Sequence, residues 1–229
     1  MNPTPTTVVF DLDGTLVDTA PDLINALNFV LSREGLPAVP LESARSMIGA
    51  GARKLLERGL EVDGRHVGPN DLDRLTSDFI DHYAAHIADE SRPFEGLEDA
   101  LDTLSVRGCR FAVCTNKLEW LSKLLLDRLG LSSRFSAICG ADTFGVSKPD
   151  PAILRQTIAR AGGQLSSAIM VGDAGPDIGV ARRAGVPVIG VEFGYTDVPI
   201  AEFKPDRLIG HMRDLPAAVE SLTLQRNSI

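Results

Sequence analysis

The chain has 229 residues, 44% of them hydrophobic, and a formal net charge of −8. That apolar content excludes a disordered chain, and the length suggests one or two domains. The acidic balance argues against nucleic acid or an anionic membrane as partner, because both reward basic charge.

No run approaches the ~18 apolar residues of a membrane span, and the start "MNPTPTTVVF" lacks a leader pattern. Cys109, Cys114 and Cys139 are odd in number and lack metal-ligand spacing. They read as small buried hydrophobes in a reducing, cytoplasmic compartment.

The first predicted element is a buried strand, Val8 to Phe10, which runs straight into Asp11 and Asp13. Residues two apart on a strand point to the same side. Two carboxylates so placed repel, an arrangement kept cheaply only beside a cation or where chemistry needs two acids. Residues 18–93 read as helical throughout. Pro21 opens a helix whose apolar face is Leu23, Ile24, Leu27, Val30 and Leu31, ending before Gly35. Further helices fit 41–48, 52–62 and 71–89. Val17–Thr19 and "SRPFEG" (91–96) read as hinges. An insertion that begins just after the paired aspartates is expected to lie over them as a lid. Within it, "GAGARK" (49–54) is loosened by Gly49 and Gly51 and made positive by Arg53 and Lys54.

After residue 95, apolar runs alternate with helical patterns. Strands are expected at 110–116, 136–140, 167–173, 186–194 and 206–209. Helices are expected at 97–107, 117–130, 150–162, 175–185 and 213–222, and Gly108, Gly130, Gly162 and Gly185 each supply a C-terminal cap. This rhythm predicts an α/β fold with a Rossmann-like, doubly wound parallel sheet as core, formed by 1–17 and 94–229, and a helical cap domain over 18–93. Trp120 is expected in the core or facing the cap, and His82 and His86 in surface packing.

Such sheets bind ligands outside the carboxyl ends of their strands. Four groups of residues end there: Asp11 and Asp13 with Gly14 and Thr15, then Thr115 with Asn116, then Lys148 in "SKPDP", then Asp173 and Asp177 in "VGDAGPD". Singly, each has an ordinary explanation as a turn, a helix cap or a solvated lysine. Together, the carboxylates suit a hard cation such as Mg²⁺ completed by waters and a substrate phosphate. Thr115, Asn116 and Lys148 supply donors and positive charge.

In this order the motifs resemble the haloacid dehalogenase superfamily of phosphatases. "DLDGT" (11–15) is similar to its first motif, Thr115 to its second, Lys148 to its third and "GD…D" (172–177) to its fourth. Within the superfamily the chain is most similar to phosphoglycolate phosphatases, through "DLDGTLVDTAPDL" (11–23), "IGAGARKLLERGL" (48–60), "VCTNK" (113–117) and "FGYTD" (193–197). "DAGPD" departs from the Ser, Arg and Asn that related sequences carry between the two aspartates.

The resemblance implies a mechanism. Asp11 attacks phosphorus and becomes an aspartyl-phosphate. Asp13 protonates the leaving alkoxide and then deprotonates water. Mg²⁺ is held by Asp11, Asp173, the main-chain carbonyl of Asp13 and, through water, Asp177. Lys148 neutralises Asp11 and the phosphoryl oxygens. Thr115, Asn116 and the N–H groups after Asp11, Gly14 among them, bind those oxygens. For Asp13 to hold a proton its pKa must rise from near 3.9, a shift to which Asp11 would contribute. From the cap, Arg53 is expected to read a substrate carboxylate. The implied partner is a small phosphorylated metabolite, 2-phosphoglycolate foremost, with another sugar phosphate, nucleotide or pyrophosphate as the alternative, and a monomer or homodimer as the assembly. A phospho-aspartate signalling receiver is the alternative from a different class.

Overall fold

The computed structural model describes residues 5–196 and 198–227. Six parallel strands form one sheet in the order β5-β4-β1-β6-β7-β8. They are β1 (Thr7–Phe10), β4 (Arg110–Cys114), β5 (Ala137–Cys139), β6 (Ala168–Gly172), β7 (Val188–Val191) and β8 (Arg207–Ile209). β1 lies in the interior and pairs with β4 on one side and β6 on the other, so every residue of its "TVVF" is buried. That explains its unbroken apolar run, since a strand covered on both faces has no polar side to show.

Alternation along β1 divides the core. Val8 and Phe10 belong to a cluster with α5 (Leu97–Val106), α6 (Glu119–Arg128) and α9 (Leu215–Asn227). Val9 belongs to the opposite cluster, with α7 (Pro151–Arg160) and α8 (Gly175–Ala184). This is the doubly wound arrangement expected from the alternating pattern. Gly108, Gly130, Gly162 and Gly185 all have φ between 72° and 78°, as a left-handed C-terminal cap requires. The strands are shorter than the apolar runs suggested: β4 ends at Cys114 and β7 at Val191, with the N–H groups of Thr115 and Glu192 making one more bond to the neighbouring strand.

Between β1 and the rest of the sheet lie α1 (Ala20–Arg33), α2 (Leu41–Ala44), α3 (Ala52–Val62) and α4 (Pro69–Ala85). The third and fourth pack on each other and on α1, so closely that a Cβ at Gly59 would meet Leu27 at 2.6 Å. At the stems of the insertion, read above as hinges, β2 (Val17–Asp18) pairs antiparallel with β3 (Arg92–Pro93), tying entry and exit into one ribbon. Trp120 is not in the core. It stands 47% exposed on α6. His82 does pack, with its ring stacked on Phe29 at 3.8 Å between centroids. No helix among the described residues is long and apolar enough to cross a membrane.

Candidate active site

Asp11 is the first residue beyond β1. Its N–H still reaches the β6 carbonyl of Val171 at 2.9 Å, so the end of the ladder sets its position. Leu16 and Val17 then fold back onto the Leu12 carbonyl and Gly14 donates to Val17, a tight reversal that leads into β2. Gly14 has φ +80°, and a Cβ there would lie 2.6 Å from Asp173 Oδ2. Only glycine meets both demands. Its N–H is spent inside the turn, which corrects its expected role as a direct donor to substrate.

The strand ends β1 and β6 bring Asp11, Asp173 and Asp177 together. All three are buried, and each offers a carboxylate oxygen within 4.8 Å of the others. Lys148 lies between them, its Nζ 2.8 Å from Asp11 Oδ1 and 2.7 Å from Asp177 Oδ1. Asp177 Oδ2 accepts from the Ala174 N–H at 3.1 Å. "AGP" between the aspartates therefore makes an ordinary helix start, with Pro176 in the first turn of α8. Asp173 accepts from Thr15 Oγ1 at 2.7 Å and from the Tyr195 N–H at 2.9 Å. Gly194 is needed there too, because a Cβ would strike the Asp173 side chain.

Electrostatics show what the cluster lacks. Burial pushes the Asp11 carboxyl up to about 7; Lys148 opposes the rise, and Asp177 and Asp173 add to it. Burial likewise raises Asp173 to about 6, with Asp177 as the next cause. Burial works against the Lys148 ammonium, but Asp11 and Asp177 overrule it and raise its pKa. One buried cation thus serves three buried acids. A hard divalent ion fits this oxygen-only set and would relieve the repulsion.

Asp13 takes a different partner from the one expected. Its carboxylate lies 2.9 and 3.1 Å from Lys117 Nζ and accepts from Thr19 Oγ1 at 2.8 Å. Lys117 is buried, and its ammonium stands 4.5 Å from the centre of the Tyr83 ring in α4. Burial alone would depress the lysine, yet Asp13 and Tyr83 raise it. The charged group in contact with the Asp13 carboxylate is therefore a cation, Lys117. Lys117 sat within "VCTNK" without an assigned role; its signal was a lysine two residues past a strand-end threonine.

Thr115 closes β4 with its N–H on the Cys139 carbonyl at 3.1 Å, while its Oγ1 accepts from the Lys117 N–H at 3.2 Å. The Asn116 side chain holds backbone: Oδ1 accepts from the Lys148 N–H at 2.8 Å, and Nδ2 donates to the carbonyls of Gly49 and Lys148 at 3.2 and 3.3 Å. It positions Lys148 and ties the sheet edge to the insertion, where a phosphoryl contact had been expected of it. Tyr195, unassigned by sequence, makes the other tie. Its hydroxyl accepts from the N–H groups of Thr19 and Ala20 at 2.7 and 3.0 Å and donates to Asp18.

Two cavities open on Asp11 and Asp13, with Ile48, Gly49 and Ala50 bordering both. The first, about 240 Å³, has apolar walls from Leu55, Phe79, Ile80 and Leu121. The second, about 450 Å³, runs past Asp173, Tyr195 and Arg58. Arg53 lines the first, but its guanidinium pairs with Asp73 and lies 3.8 Å from Glu57. Lys54 pairs with Glu57 at 2.8 Å. In this structure the Arg53 guanidinium, of which a contact to a substrate carboxylate had been expected, is taken up by acids of the insertion.

Comparison with known proteins agrees with this geometry. A family model described as haloacid dehalogenase-like hydrolase matches residues 8–191. A phosphoglycolate phosphatase of Caulobacter vibrioides is 46% identical over 216 residues, 94% of this chain and 91% of that protein. One from Agrobacterium fabrum is 46% identical, covering 93% and 92%. Among solved structures, a Haemophilus somnus protein described as a predicted phosphoglycolate phosphatase superposes with a TM-score of 0.87 at 28% identity, over 95% of this chain and 99% of that one.

Proposed function

The chain belongs to the haloacid dehalogenase-like hydrolases and is a phosphatase; from that premise we propose that it hydrolyses 2-phosphoglycolate to glycolate and phosphate with Mg²⁺, through an aspartyl-phosphate on Asp11. The observation that carries the reading is Asp11 itself. Its Oδ1 accepts from Leu12 N–H at 2.7 Å and faces Lys148, whereas no hydrogen bond from the described residues reaches Oδ2. One oxygen is anchored and the other is left for attack, at the mouth of both cavities.

Asp11 and Asp173 would hold the ion through their carboxylates, Asp13 through its main-chain carbonyl. Asp177, with both oxygens already engaged, would act through water. When bound, Mg²⁺ supplies charge stabilisation for the phosphoryl oxygens. The protein does the rest. Lys148 keeps Asp11 oriented and offsets its charge as phosphate approaches. Asp13, held by Thr19 and Lys117, is arranged as a proton acceptor and suits the step in which water attacks the aspartyl-phosphate. The helices of 18–93 act as a cap that excludes water, with Asn116 and Tyr195 holding them to the sheet edge.

A phosphate-release screen over phosphorylated metabolites, with and without Mg²⁺, tests the reading. We expect metal-dependent release and the highest kcat/KM on 2-phosphoglycolate. The apolar cavity beside Asp13 favours, as a second reading, an ester with a larger apolar group such as a nucleotide. A tenfold preference for such an ester would replace the first reading. Stable phosphorylation without turnover would point to a signalling switch.

A further inference from the structure

The two cavities are lined by three cations: Lys117, Arg53 and Arg58. Lys117 faces Asp13 and Arg53 faces Asp73 and Glu57. Arg58, on α3, is the exception. Among the described residues it makes no ion pair. Its Nη1 donates to the main-chain carbonyls of Met47 at 2.7 Å and Ser46 at 3.4 Å. A guanidinium carries five donors, so the Nε–Nη2 edge keeps its own. Arg45, close by, is no substitute: it pairs with Asp18 at 3.2 Å and stacks over the Tyr195 ring.

The charge balance of the cavity requires such a group. Asp11, Asp13, Asp173 and Asp177 face only Lys117 and Lys148. A bound divalent ion would bring that set to neutrality, with nothing left to attract a substrate carrying an anion beyond its phosphate. Arg58 borders the same cavity as Asp11 and Asp173. The carbonyls of Ser46 and Met47 hold it without neutralising it. A planar guanidinium with one edge open matches a carboxylate in two parallel hydrogen bonds.

We infer that Arg58 determines specificity in this active site, reading a carboxylate on the substrate's leaving group. The inference rests on the phosphatase reading above and adds to it which residue selects the substrate, a task the sequence motif had assigned to Arg53. It also divides the labour of the two cavities: the one beside Arg58 takes the charged end of a small ester, and the apolar one is not needed for it.

The test compares 2-phosphoglycolate with 2-phosphoglycolamide, which has the same shape and no carboxylate charge. The readout is the ratio of their kcat/KM values, measured in one preparation so that partial unfolding cancels. Wild-type protein should favour the acid. Arg58→Gln retains a donor for Met47 and should lower the ratio roughly ten- to a hundredfold, mainly through KM. Arg58→Lys should restore part of it, since charge returns without the bidentate fork. A ratio that Arg58→Gln leaves intact, a wild-type ratio near unity, or parallel losses on both esters would overturn the inference. The function proposed above fails separately, if wild type prefers a larger carboxylate ester such as 3-phosphoglycerate to 2-phosphoglycolate. Arg58 would then be judged on that ester and its amide.

Discussion

The sheet edge and the helical insertion hold their charged residues in opposite ways. At the edge, Asp11, Lys148, Asp173 and Asp177 are at most 5% exposed, and their contacts are set by strand ends that the ladder holds in place. In the insertion, Arg53, Lys54 and Arg74 are half-exposed and paired with acids of the same helical layer. The first arrangement costs stability: buried like charges are expensive, and their carboxyls are pushed up accordingly. The second costs little and contributes little, as surface pairs do. Chemistry sits where the protein maintains strain, and solubility where it does not.

Asp11→Asn should separate the two costs most sharply. The amide cannot serve as the nucleophile, so phosphate release should fall at least a thousandfold. Because the Asp11 carboxyl is raised to about 7 by burial, the neutral amide should leave metal-free unfolding temperature equal or higher. A stable variant with a tenth of wild-type kcat would remove Asp11 from the mechanism.

Removal of metal should have the next largest effect. EDTA should abolish activity and Mg²⁺ restore it. Asp11 and Asp173 have folded pKa values raised from 3.8 to about 7 and about 6. Raised acids contribute stability that is fully present below the unfolded value and lost as pH rises through the folded one. Metal-free protein should thus lose a few kcal/mol between about pH 4 and 7, a loss that Mg²⁺ offsets. The gap in Tm between Mg²⁺ and EDTA samples should widen from pH 5 to pH 8. A constant gap would mean that the ion binds elsewhere.

The sheet and the acidic cluster were legible in the sequence because each rests on local pattern. Val8 to Phe10 followed by two aspartates marks a buried strand end, and glycines mark helix ends. Which side chains pair beyond the motif residues was not legible. Lys117 meets Asp13 over 104 positions, and Tyr195 meets Thr19 over 176. Nothing in "TNK" or "FGYTD" states which side chain lies opposite. The ribbon of β2 and β3 escaped for the same reason, being two residues on each side, too short for any periodicity. Arg53 looks available as a basic residue after glycines, and its pairing with Asp73, twenty positions on, is not visible in that pattern.

Lys117→Met probes the tie between the regions from the sheet side. It removes the cation from Asp13 and from the Tyr83 ring. We expect kcat to fall about tenfold or more, within the range of acid–base contributions, and the aspartyl-phosphate to accumulate during turnover because the attacking water lacks an oriented base. Acid-quenched phosphoenzyme at the wild-type level would assign Lys117 to packing alone. Tyr195→Phe probes the tie at the stem. It leaves the N–H groups of Thr19 and Ala20 without their acceptor, at a cost of about 1–3 kcal/mol. It should also speed proteolysis near residues 18–20 and 91–96, with a smaller change in kcat. Unaltered proteolysis would show that β2 and β3 hold the stem by themselves.

Arg53→Ala should have the smallest effect, and its smallness is informative. If the motif alone decided function, truncation would remove a charge-assisted contact to substrate and cost ten- to a hundredfold in kcat/KM. The structure places that guanidinium, 46% exposed, between Asp73 and Glu57. Pairs of this kind are worth about 0.2–1 kcal/mol, and Arg53→Ala would also leave Asp73 and Glu57 without that partner. The expected outcome is a loss of less than about fivefold in kcat/KM, equal for 2-phosphoglycolate and its amide, with the residual loss shrinking as salt is added, since screening weakens repulsion from the freed Asp73 and Glu57. A selective loss on the acid alone, independent of salt, would show that Arg53 leaves its partners when substrate arrives. The insertion would then be a surface that rearranges on binding, and its exposed ion pairs a resting state.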